Sequence, residues 1–288
     1  MRASEFRKYF PPRKKDSHKG CFGRIFILSG SRGFPGAPYL TGMGALRAGA
    51  GLITLGVPRG LYEVLTLKLA EVMTKPFPET AEGSLGRRAF SAIKTFLKGQ
   101  DVLALGPGLS QNTETQGLIR KIILACDRPM VIDADGLNAF QGKKVLLGKI
   151  KAPAVLTPHP GEAARLFGLS VPKDPLGRKK FAAMAAESCR CVLVLKGAGT
   201  VVASPGGKIY VNDTGNPGLA TGGSGDLLTG IIAAFLGQGL PAFDAAKCGV
   251  FIHGLAADLA VKEFGEISLA PRDVLSYLPL AFKKLLKR

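Results

Sequence analysis

An aspartate at the end of a glycine-rich loop is the feature of this chain with the clearest chemical meaning. Residues 215–226 contain five glycines, end in Asp226 and run directly into the apolar segment of residues 227–236. Glycines let backbone N–H groups come close to a bound group, and a helix that begins here directs its unpaired N–H groups and its positive dipole end to the same place. This glycine-rich loop, residues 215–226, predicts an anion site in which Asp226 is a general base beside a polyphosphate.

Helix capping is the alternative role for Asp226. A capping carboxylate satisfies one or two backbone donors and adds about 1 kcal/mol of stability. It does not need a loop in which each glycine costs about 0.5–1 kcal/mol relative to alanine, so the composition of the loop favours phosphate binding. The loop contains no Walker A string, and it does not follow the first predicted strand as a dinucleotide fingerprint would.

Four further loops carry groups that bind phosphate, metal or polar substrates. Each follows a short apolar run, and the last of them, Lys-Gly-Ala-Gly-Thr at residues 196–200, is named the Lys196 loop. Because parallel sheets build their sites at the carboxyl ends of their strands, we expect these loops to meet at one edge of a sheet. The four loops are residues 106–108, 133–138, 157–162 and 196–200.

The elements that must position these loops follow an α/β pattern. Short apolar runs alternate with longer amphipathic segments along nearly the whole chain, which is typical of an α/β layer fold. We expect a single α/β domain over residues 1–288, with residues 1–19 a candidate basic arm and a helix over residues 37–50. The predicted strands are residues 24–28, 52–55, 102–105, 130–132, 155–156 and 192–195.

The composition is globular and argues against a membrane partner. Of 288 residues, 46% are hydrophobic and 21% are charged, and the longest uncharged run, residues 227–243, is broken by glycines and a proline. The N-terminus has no apolar signal-peptide region, and the five scattered cysteines suit reduced thiols. We therefore expect a cytoplasmic protein.

The formal net charge of +18 is compatible with nucleic acid, a membrane surface or a polyanionic small molecule. Tryptophan is absent, aromatic residues are 7% of the chain and no nucleic-acid-binding motif occurs, so a nucleic-acid partner is not expected. The basic runs at residues 13–15 and 178–180 are interpreted as solvated helix ends. A nucleotide phosphate is compatible with this charge but is not demonstrated by it.

Six motifs in order resemble the ADP-dependent NAD(P)H-hydrate dehydratase family, a carbohydrate-kinase-like family of the ribokinase-like superfamily. Together they span about residues 18–262. The resemblance implies a ribokinase-like three-layer α/β/α fold with a central, mostly parallel sheet. The motifs are residues 36–38, 106–109, 133–138, 157–162, 196–200 and 216–226.

The same resemblance implies a repair reaction. The family uses ADP, or ATP in eukaryotic relatives, to dehydrate the S epimer of NADHX or NADPHX back to the normal reduced cofactor. Phosphorylation of the ring 6-hydroxyl turns a poor leaving group into phosphate, which the electron-rich ring can expel, so that ADP yields AMP and phosphate. A compact chain of this kind favours ADP over ATP, while the preference between NADHX and NADPHX stays open.

The resemblance also implies roles for individual residues. Asp226 matches the position that contacts the hydrated ring and takes the hydroxyl proton. Backbone amides of Gly223, Ser224 and Gly225 match an anion hole. The substrate-binding positions are Ala37, Gly108, His159 and Asp226, and the AMP-binding positions are Gly225, Lys196, Gly197, Ala198, Gly199 and Thr200.

Some of these residues have ordinary structural alternatives. On its residue type alone, Lys196 is as compatible with a solvated turn as with a phosphate contact, and a histidine between prolines such as His159 is usually structural. Glu162 could hold a water of a nucleotide-bound Mg²⁺, because Mg²⁺ favours a few carboxylates with phosphates and water. Asp133 and Asp135 could do the same, or could cap the next helix. His253 is interpreted as a core or interface histidine.

Two other functions stay open. A small-molecule kinase of the same superfamily, acting on a hydroxymethylpyrimidine or a thiazole alcohol, would use the same loop and Asp226, although residues 36–38 and 158–162 favour the dehydratase. A non-catalytic nucleotide sensor or nucleic-acid-binding protein would use the net charge and would bind without turnover, with steep salt dependence.

The resemblance has two further implications for partners. The usual assembly of the family is a homotetramer. Many bacterial members carry an N-terminal epimerase domain for which this chain has no room, so we expect a separate epimerase, or spontaneous epimerisation, to supply the S hydrate.

Overall fold

A nine-stranded sheet forms the centre of the part of the chain that the structure describes. The structure is a computed structural model and describes residues 4–286. The strands are β1 (Arg24–Leu28), β2 (Leu52–Pro58), β3 (Met73–Phe77), β4 (Val102–Leu105), β5 (Met130–Ile132), β6 (Ala154–Leu156), β7 (Val192–Leu195), β8 (Val201–Ala203) and β9 (Ile209–Val211). Across the sheet they lie in the order β3, β2, β1, β4, β5, β6, β7, β8, β9.

Helices cover both faces of this sheet, as a mostly parallel sheet requires. Strands β1 to β7 pair in parallel, while β8 and β9 extend the sheet as antiparallel strands. The helices among residues 4–286 are α1 (Ser4–Arg7), α2 (Gly36–Arg47), α3 (Tyr62–Lys68), α4 (Phe90–Leu97), α5 (Thr113–Ala125), α6 (Asp135–Asn138), α7 (Pro160–Phe167), α8 (Pro175–Cys189), α9 (Ser224–Gly237), α10 (Ala242–Ser268) and α11 (Pro271–Leu286).

Side-chain alternation along the strands divides the interior into two cores. In β1, Ile25 and Ile27 belong to one core, while Phe26 and Leu28 belong to the other. The first core lies against α2, α9, α10 and α11, and the second against α4, α5, α7 and α8. Since successive residues of a strand face opposite sides, one apolar run supplies both layers. The predicted three-layer α/β/α fold with a mostly parallel sheet is confirmed.

The structure confirms the six predicted strands and adds three that the pattern did not reveal. Strand β3 lies at the edge of the sheet, is partly exposed and contains Lys75 and Pro76, so it has no apolar run to detect. Strands β8 and β9 have three residues each, too few for a clear alternation. The predicted helix at residues 37–50 ends earlier, at Arg47, and Gly49 then takes a left-handed φ of 91°.

Helices α2 and α9 touch backbone to backbone. A methyl group at Gly230 would overlap the carbonyl oxygen of Thr41, and one at Gly44 would lie 2.6 Å from the carbonyl oxygen of Leu227. Glycine in a helix interior normally costs about 0.5–1 kcal/mol, and here it allows the two helices to approach closely. This contact fixes the position of the first turns of α9.

The N-terminal segment packs on the helical layer. Phe6 is fully buried and stacks on Phe251 with ring centroids 4.0 Å apart. Arg7 donates from Nε to the carbonyl oxygen of Leu285 at 2.8 Å. Of the candidate basic arm, residues 1–3 lie outside the described residues, whereas Phe6 and Arg7 are packed against the domain.

No helix within residues 4–286 combines the length and the hydropathy needed to span a bilayer.

Candidate active site

The loops named from the sequence meet at the carboxyl edge of the parallel strands. Backbone hydrogen bonds join successive loops: Asp133 donates to the carbonyl of Leu105 at 3.1 Å, and Lys196 donates to the carbonyl of Pro158 at 2.9 Å. Because the strands are parallel and in register, neighbouring loops leave the sheet at the same position along the strand direction. The side chains that end the strands are therefore brought together, as expected.

The glycine-rich loop ends in the uncapped start of α9. Its N-cap is Gly223, with a φ of 96°, and within residues 4–286 no side chain caps this helix. A side chain at Gly223 would also meet Cδ1 of Leu40 at 2.5 Å. Both the positive φ and the lack of space therefore require glycine here. Asp226 lies in the first turn and does not cap the helix, which leaves the first N–H groups of α9 for a bound anion.

A buried ion pair lies directly beneath this helix start. Lys196 donates from Nζ to Oδ1 of Asp133 at 2.8 Å, and Thr229 donates from Oγ1 to Oδ2 of the same carboxylate at 2.9 Å. A methyl group at Gly225 would lie 3.1 Å from Nζ of Lys196. Asp133 is 1% exposed, so the pair is shielded from solvent on the carboxylate side. The ammonium group thus lies next to the amides of the predicted anion hole.

The His159 and Glu162 side chains organise the start of α7. His159 is its N-cap, with Nδ1 accepting hydrogen bonds from the backbone N–H groups of Gly161 at 3.0 Å and of Glu162 at 3.3 Å. Glu162 in turn accepts from the backbone N–H of His159 at 2.8 Å, which completes a capping box. Because this structural role uses Nδ1, Nε2 of the half-exposed ring is the nitrogen left for a ligand, and it lies 3.6 Å from Glu162 Oε1.

Three carboxylates converge on Lys196, and two of them, Asp226 and Glu162, have raised pKa values. Burial, together with the negative charge of Asp133, raises the pKa of Asp226 to about 6, although Lys196 acts in the opposite direction. Burial likewise raises the pKa of Glu162, whose Oε2 lies 3.8 Å from Nζ of Lys196. For Lys196, burial alone would lower the pKa, but the surrounding carboxylates outweigh it and the pKa is raised. Asp133, Glu162 and Asp226 are named the carboxylate cluster.

Two of the predicted substrate-binding positions also touch each other. A methyl group at Gly108 would lie 3.0 Å from Cβ of Ala37 and 3.0 Å from Cβ of Phe34. The carbonyl oxygen of Gly108 accepts from Oγ of Ser31 at 2.8 Å, which ties the loop after β4 to the loop after β1. Phe34 is 60% exposed beside this contact, so an apolar ring lies open to a ligand there.

The Lys196 loop presents its backbone to solvent. Gly197, Ala198 and Gly199 are exposed, and Thr200 donates from Oγ1 to the carbonyl of Gly197 at 2.8 Å. Asn212 donates from its backbone N–H to the carbonyl of Thr200 at 2.9 Å, which joins the loop to the end of β9. The predicted AMP-binding residues 196–200 therefore form one turn, exposed at its centre, that begins at the ion pair, while Gly225 lies in α9.

Sequence reasoning missed two residues at this site. Thr229 lies in the apolar run of α9, where a lone hydroxyl was the available signal. Arg178 was included in a basic run interpreted as a solvated helix end, yet its guanidinium donates to the carbonyls of Leu195 at 3.3 Å and Lys196 at 3.1 Å. That interpretation is wrong for Arg178, because the fold places α8 against the Lys196 loop.

His253 is buried, as its place on a packed helix predicted. Its Nε2 has no hydrogen-bond partner within residues 4–286. Burial, with a smaller effect from the positive charge of Lys196, lowers the pKa of His253 to about 4. The imidazole is therefore neutral at physiological pH.

The described part of the site offers no direct metal centre. Within the described residues, no group of three or more His, Cys, Asp or Glu side chains is arranged to hold a metal ion. Asp135 is occupied by hydrogen bonds from the backbone N–H of Ser110 at 2.8 Å and from Nδ2 of Asn138 at 3.0 Å. The predicted metal role of Glu162 stays a prediction.

Comparisons with known proteins agree on one family. A family model described as NAD(P)H-hydrate dehydratase matches residues 25–280. The bifunctional NAD(P)H-hydrate repair enzyme of Moorella thermoacetica is 44% identical over 285 residues, which are 99% of this chain and 54% of that protein. The ADP-dependent (S)-NAD(P)H-hydrate dehydratase of Neisseria meningitidis serogroup B is 37% identical over 268 residues, which are 91% of this chain and 86% of that protein.

A solved structure points to the same family. The ADP/ATP-dependent NAD(P)H-hydrate dehydratase of Bacillus subtilis, co-crystallised with ATP and Mg²⁺, superposes with a TM-score of 0.84 at 31% identity and covers 99% of this chain and 97% of that chain. The chain spans about half the length of the bifunctional relatives that it matches.

Proposed function

The chain belongs to the NAD(P)H-hydrate dehydratase family, and from this premise we propose that it dehydrates (6S)-NADHX and (6S)-NADPHX to NADH and NADPH with ADP as co-substrate. The observation that carries the proposal is Asp226. This carboxylate lies in the first turn of an uncapped helix, beside a buried lysine, and its pKa is raised to about 6. A base of this strength beside an anion site is suited to accept a hydroxyl proton at neutral pH.

The chemistry begins with phosphoryl transfer from ADP. The ring 6-hydroxyl attacks the β-phosphorus, its proton passes to Asp226, and AMP leaves. The ring nitrogen's electron pair then helps to expel phosphate from C6, and loss of the neighbouring C5 proton gives the dihydropyridine. Overall, hydrate and ADP give reduced cofactor, AMP and phosphate, with no change in oxidation state.

The start of α9 would stabilise the phosphoryl group in transit. Backbone amides of Gly223, Ser224 and Gly225 are the donors that an anion hole needs, and they carry the positive end of the helix dipole. The ammonium of Lys196 lies against Gly225 and would add a full positive charge. Gly225 and the Lys196 loop would bind the AMP part of the nucleotide.

The hydrated ring would bind between Asp226 and the loops after β1 and β4. Ala37 and Gly108 are in contact there and offer a surface without bulky side chains. His159 would contribute Nε2, because its Nδ1 caps α7. An imidazole whose Nδ1 accepts hydrogen bonds carries its N–H on Nε2, which can donate to a polar group of the hydrate.

The residues present fit a nucleotide-bound Mg²⁺ held through water. The carboxylate cluster offers only oxygen donors, which Mg²⁺ prefers, and within the described residues no group of three or more such side chains is arranged to hold the ion directly. Glu162, with Asp133 behind it, would hold the ion by way of its waters. Bound Mg²⁺ would neutralise charge on the phosphates.

We further propose a location and an assembly for this enzyme. An enzyme that repairs NADH and NADPH would work in the cytoplasm, where these cofactors are used. A homotetramer would cover exposed apolar side chains of the last two helices, such as Ile267 and Leu280. Supply of the S epimer by a separate epimerase stays a prediction.

The decisive experiment is absorbance at 340 nm after the protein is mixed with NADHX, Mg²⁺ and ADP. We expect a nucleotide-dependent rise, with AMP as the nucleotide product, and parallel reactions with ATP or without nucleotide identify the donor. The variant Asp226→Asn should lose about 10²–10⁴-fold in kcat, the range for a general base, while its affinity for ADP changes only a few-fold.

Two results would contradict the proposal. A flat trace with both nucleotides would move the assignment to a kinase of the same fold with an alcohol substrate. Retention of most activity by Asp226→Asn would remove the role of this carboxylate, even if the wild-type protein is an active dehydratase.

A further inference from the structure

Arg178 connects helix α8 to the Lys196 loop. Its Nη2 donates to the carbonyl oxygen of Lys196 at 3.1 Å and to that of Leu195 at 3.3 Å. The guanidinium also lies beside Gly197, since a methyl group there would be 3.4 Å from the same nitrogen. One planar cation thus contacts the end of β7 and the first two residues of the loop.

At the end where it leaves β7, the loop is held by the backbone hydrogen bond from Lys196 to Pro158, by the Lys196 ion pair and by Arg178. Gly197 has a φ of 121° and Gly199 a φ of 61°, values that side-chain-bearing residues rarely adopt. Glycine-rich backbone has many unfolded alternatives, so it needs fixed points to keep its N–H groups in one orientation. The contact with Arg178 supplies such a point where the loop leaves the sheet.

The position of Arg178 is costly for the protein without a ligand. It lies in the first turn of α8, where the helix dipole disfavours a positive charge. Within residues 4–286 it forms no ion pair with a carboxylate, and its buried Nε has no hydrogen-bond partner. Burial also lowers the pKa of the guanidinium. A cation held in this way would be offset by a negatively charged ligand on the adjacent loop.

We propose that Arg178 is a positioning residue of the nucleotide site: by holding the carbonyls of Leu195 and Lys196, it orients the amides of residues 197–199 toward the nucleotide. It also fixes the backbone of Lys196, whose side chain extends beneath the start of α9. This inference rests on the proposed function, because it assumes that the Lys196 loop binds the adenine nucleotide.

The neighbouring residue provides a matched control. Lys179 is exposed, lies on the same helical turn and carries the same charge. Arg178→Met and Lys179→Met therefore remove one positive charge each, but only the first removes the bonds to the loop. Arg178→Lys keeps the positive charge and loses the planar guanidinium with its fixed N–H donors.

The test measures the Kd of ADP by calorimetry for the wild type and these three variants, with kcat and the KM of NADHX at saturating ADP. Arg178→Met should weaken ADP about tenfold, as expected from the loss of a charge-assisted hydrogen bond. Its KM for NADHX at saturating ADP should change by less than about threefold, because the bonds it loses hold the nucleotide loop and not the loops after β1 and β4. Arg178→Lys should recover only part of the affinity, and Lys179→Met should match the wild type.

Amide hydrogen exchange supplies a local readout that a general loss of stability would not give. In Arg178→Met without nucleotide, exchange should become faster in the peptide covering residues 195–200, while peptides from β1 and β4 stay unchanged. If Arg178→Met does not fold, Arg178→Lys and Arg178→Gln carry the same comparison.

The outcomes separate this inference from the proposed function. Equal ADP affinity of Arg178→Met and Lys179→Met, with a wild type that binds ADP, would overturn the role of Arg178 alone. A wild type that binds no ADP would overturn the proposed function and this inference together. Loss of kcat and of hydrate affinity in equal measure would assign Arg178 to the stability of the fold.

Discussion

The two halves of the candidate site are held in place by different forces. The start of α9 is positioned by apolar packing and by backbone contacts between Gly230 and Thr41, and no side chain caps it. The opposite half consists of Asp133, Glu162 and Lys196, and it is held by an ion pair of 2.8 Å and the hydrogen bonds around it. The first half offers backbone N–H donors, which do not titrate. The second half offers charged side chains, and the pKa of Glu162 and of Lys196 depends on the neighbouring charges.

This difference separates two demands of phosphoryl transfer. An anion hole must keep its geometry while charge develops, which rigid backbone packing provides at any pH. A general base must have a pKa near the working pH, which requires burial and neighbouring charges. In the proposed function, glycines meet the first demand and carboxylates meet the second, and Asp226 lies where the two halves of the site meet.

The largest expected effect concerns the ion pair. Lys196→Met should lower the free energy of unfolding by about 3–5 kcal/mol, because Asp133 would be left buried without its countercharge. The double variant Asp133→Asn with Lys196→Met should recover a large part of this loss, since it leaves no uncompensated charge. Urea unfolding of both variants and of Lys179→Met, as a surface control, measures the difference. A Lys196→Met variant as stable as the control would show that charge does not hold this half together.

The second effect concerns the packing of α9. Gly230→Ala should destabilise the protein by about 1–3 kcal/mol, the usual cost of overpacking, because the added methyl group overlaps the carbonyl of Thr41. Gly148→Ala is the matched control, since nothing lies within 4 Å of a methyl group there. Thermal unfolding of the two variants decides the point, and equal melting temperatures would contradict backbone contact between α2 and α9.

The smallest effect is a pH dependence that tests the link between the halves. In the proposed function Asp226 accepts the hydroxyl proton and must be deprotonated to do so, so kcat/KM should fall about tenfold per pH unit below the pKa of about 6 and level off above it. The folded pKa is raised above the ordinary value of 3.8, so the contribution of Asp226 to stability is present at low pH and is lost as the pH rises through about 6. Asp226→Asn should therefore remove this decrease in stability between pH 4 and 6. A pH–rate profile that is flat down to pH 4.5 would contradict the raised pKa.

Much of the fold could be read from the sequence because the central strands are continuous apolar runs. Strands β1, β4, β5 and β7 begin and end at the predicted residues. The edge strand β3 escaped detection since a half-exposed strand with Lys75 and Pro76 carries no such signal. In the site, the five glycines of the glycine-rich loop were enough to predict an anion site, and the apolar run that follows them predicted the helix.

The sequence by itself determined the residue types that can do chemistry and the elements that carry them: Asp226 at the start of a helix, Lys196 after a buried strand, and the order of the loops. Only the tertiary structure decided which of these charged groups pair and how they shift one another's pKa. Asp133 and Lys196 are 63 positions apart, and their pairing at 2.8 Å depends on β5, β6 and β7 lying side by side in the sheet. Arg178 shows the same limit, because a basic residue in a helical turn looks solvated until the fold packs that helix against a loop. Local patterns specify elements, whereas the proton affinities and contacts of a site depend on neighbours that only the folded chain brings together.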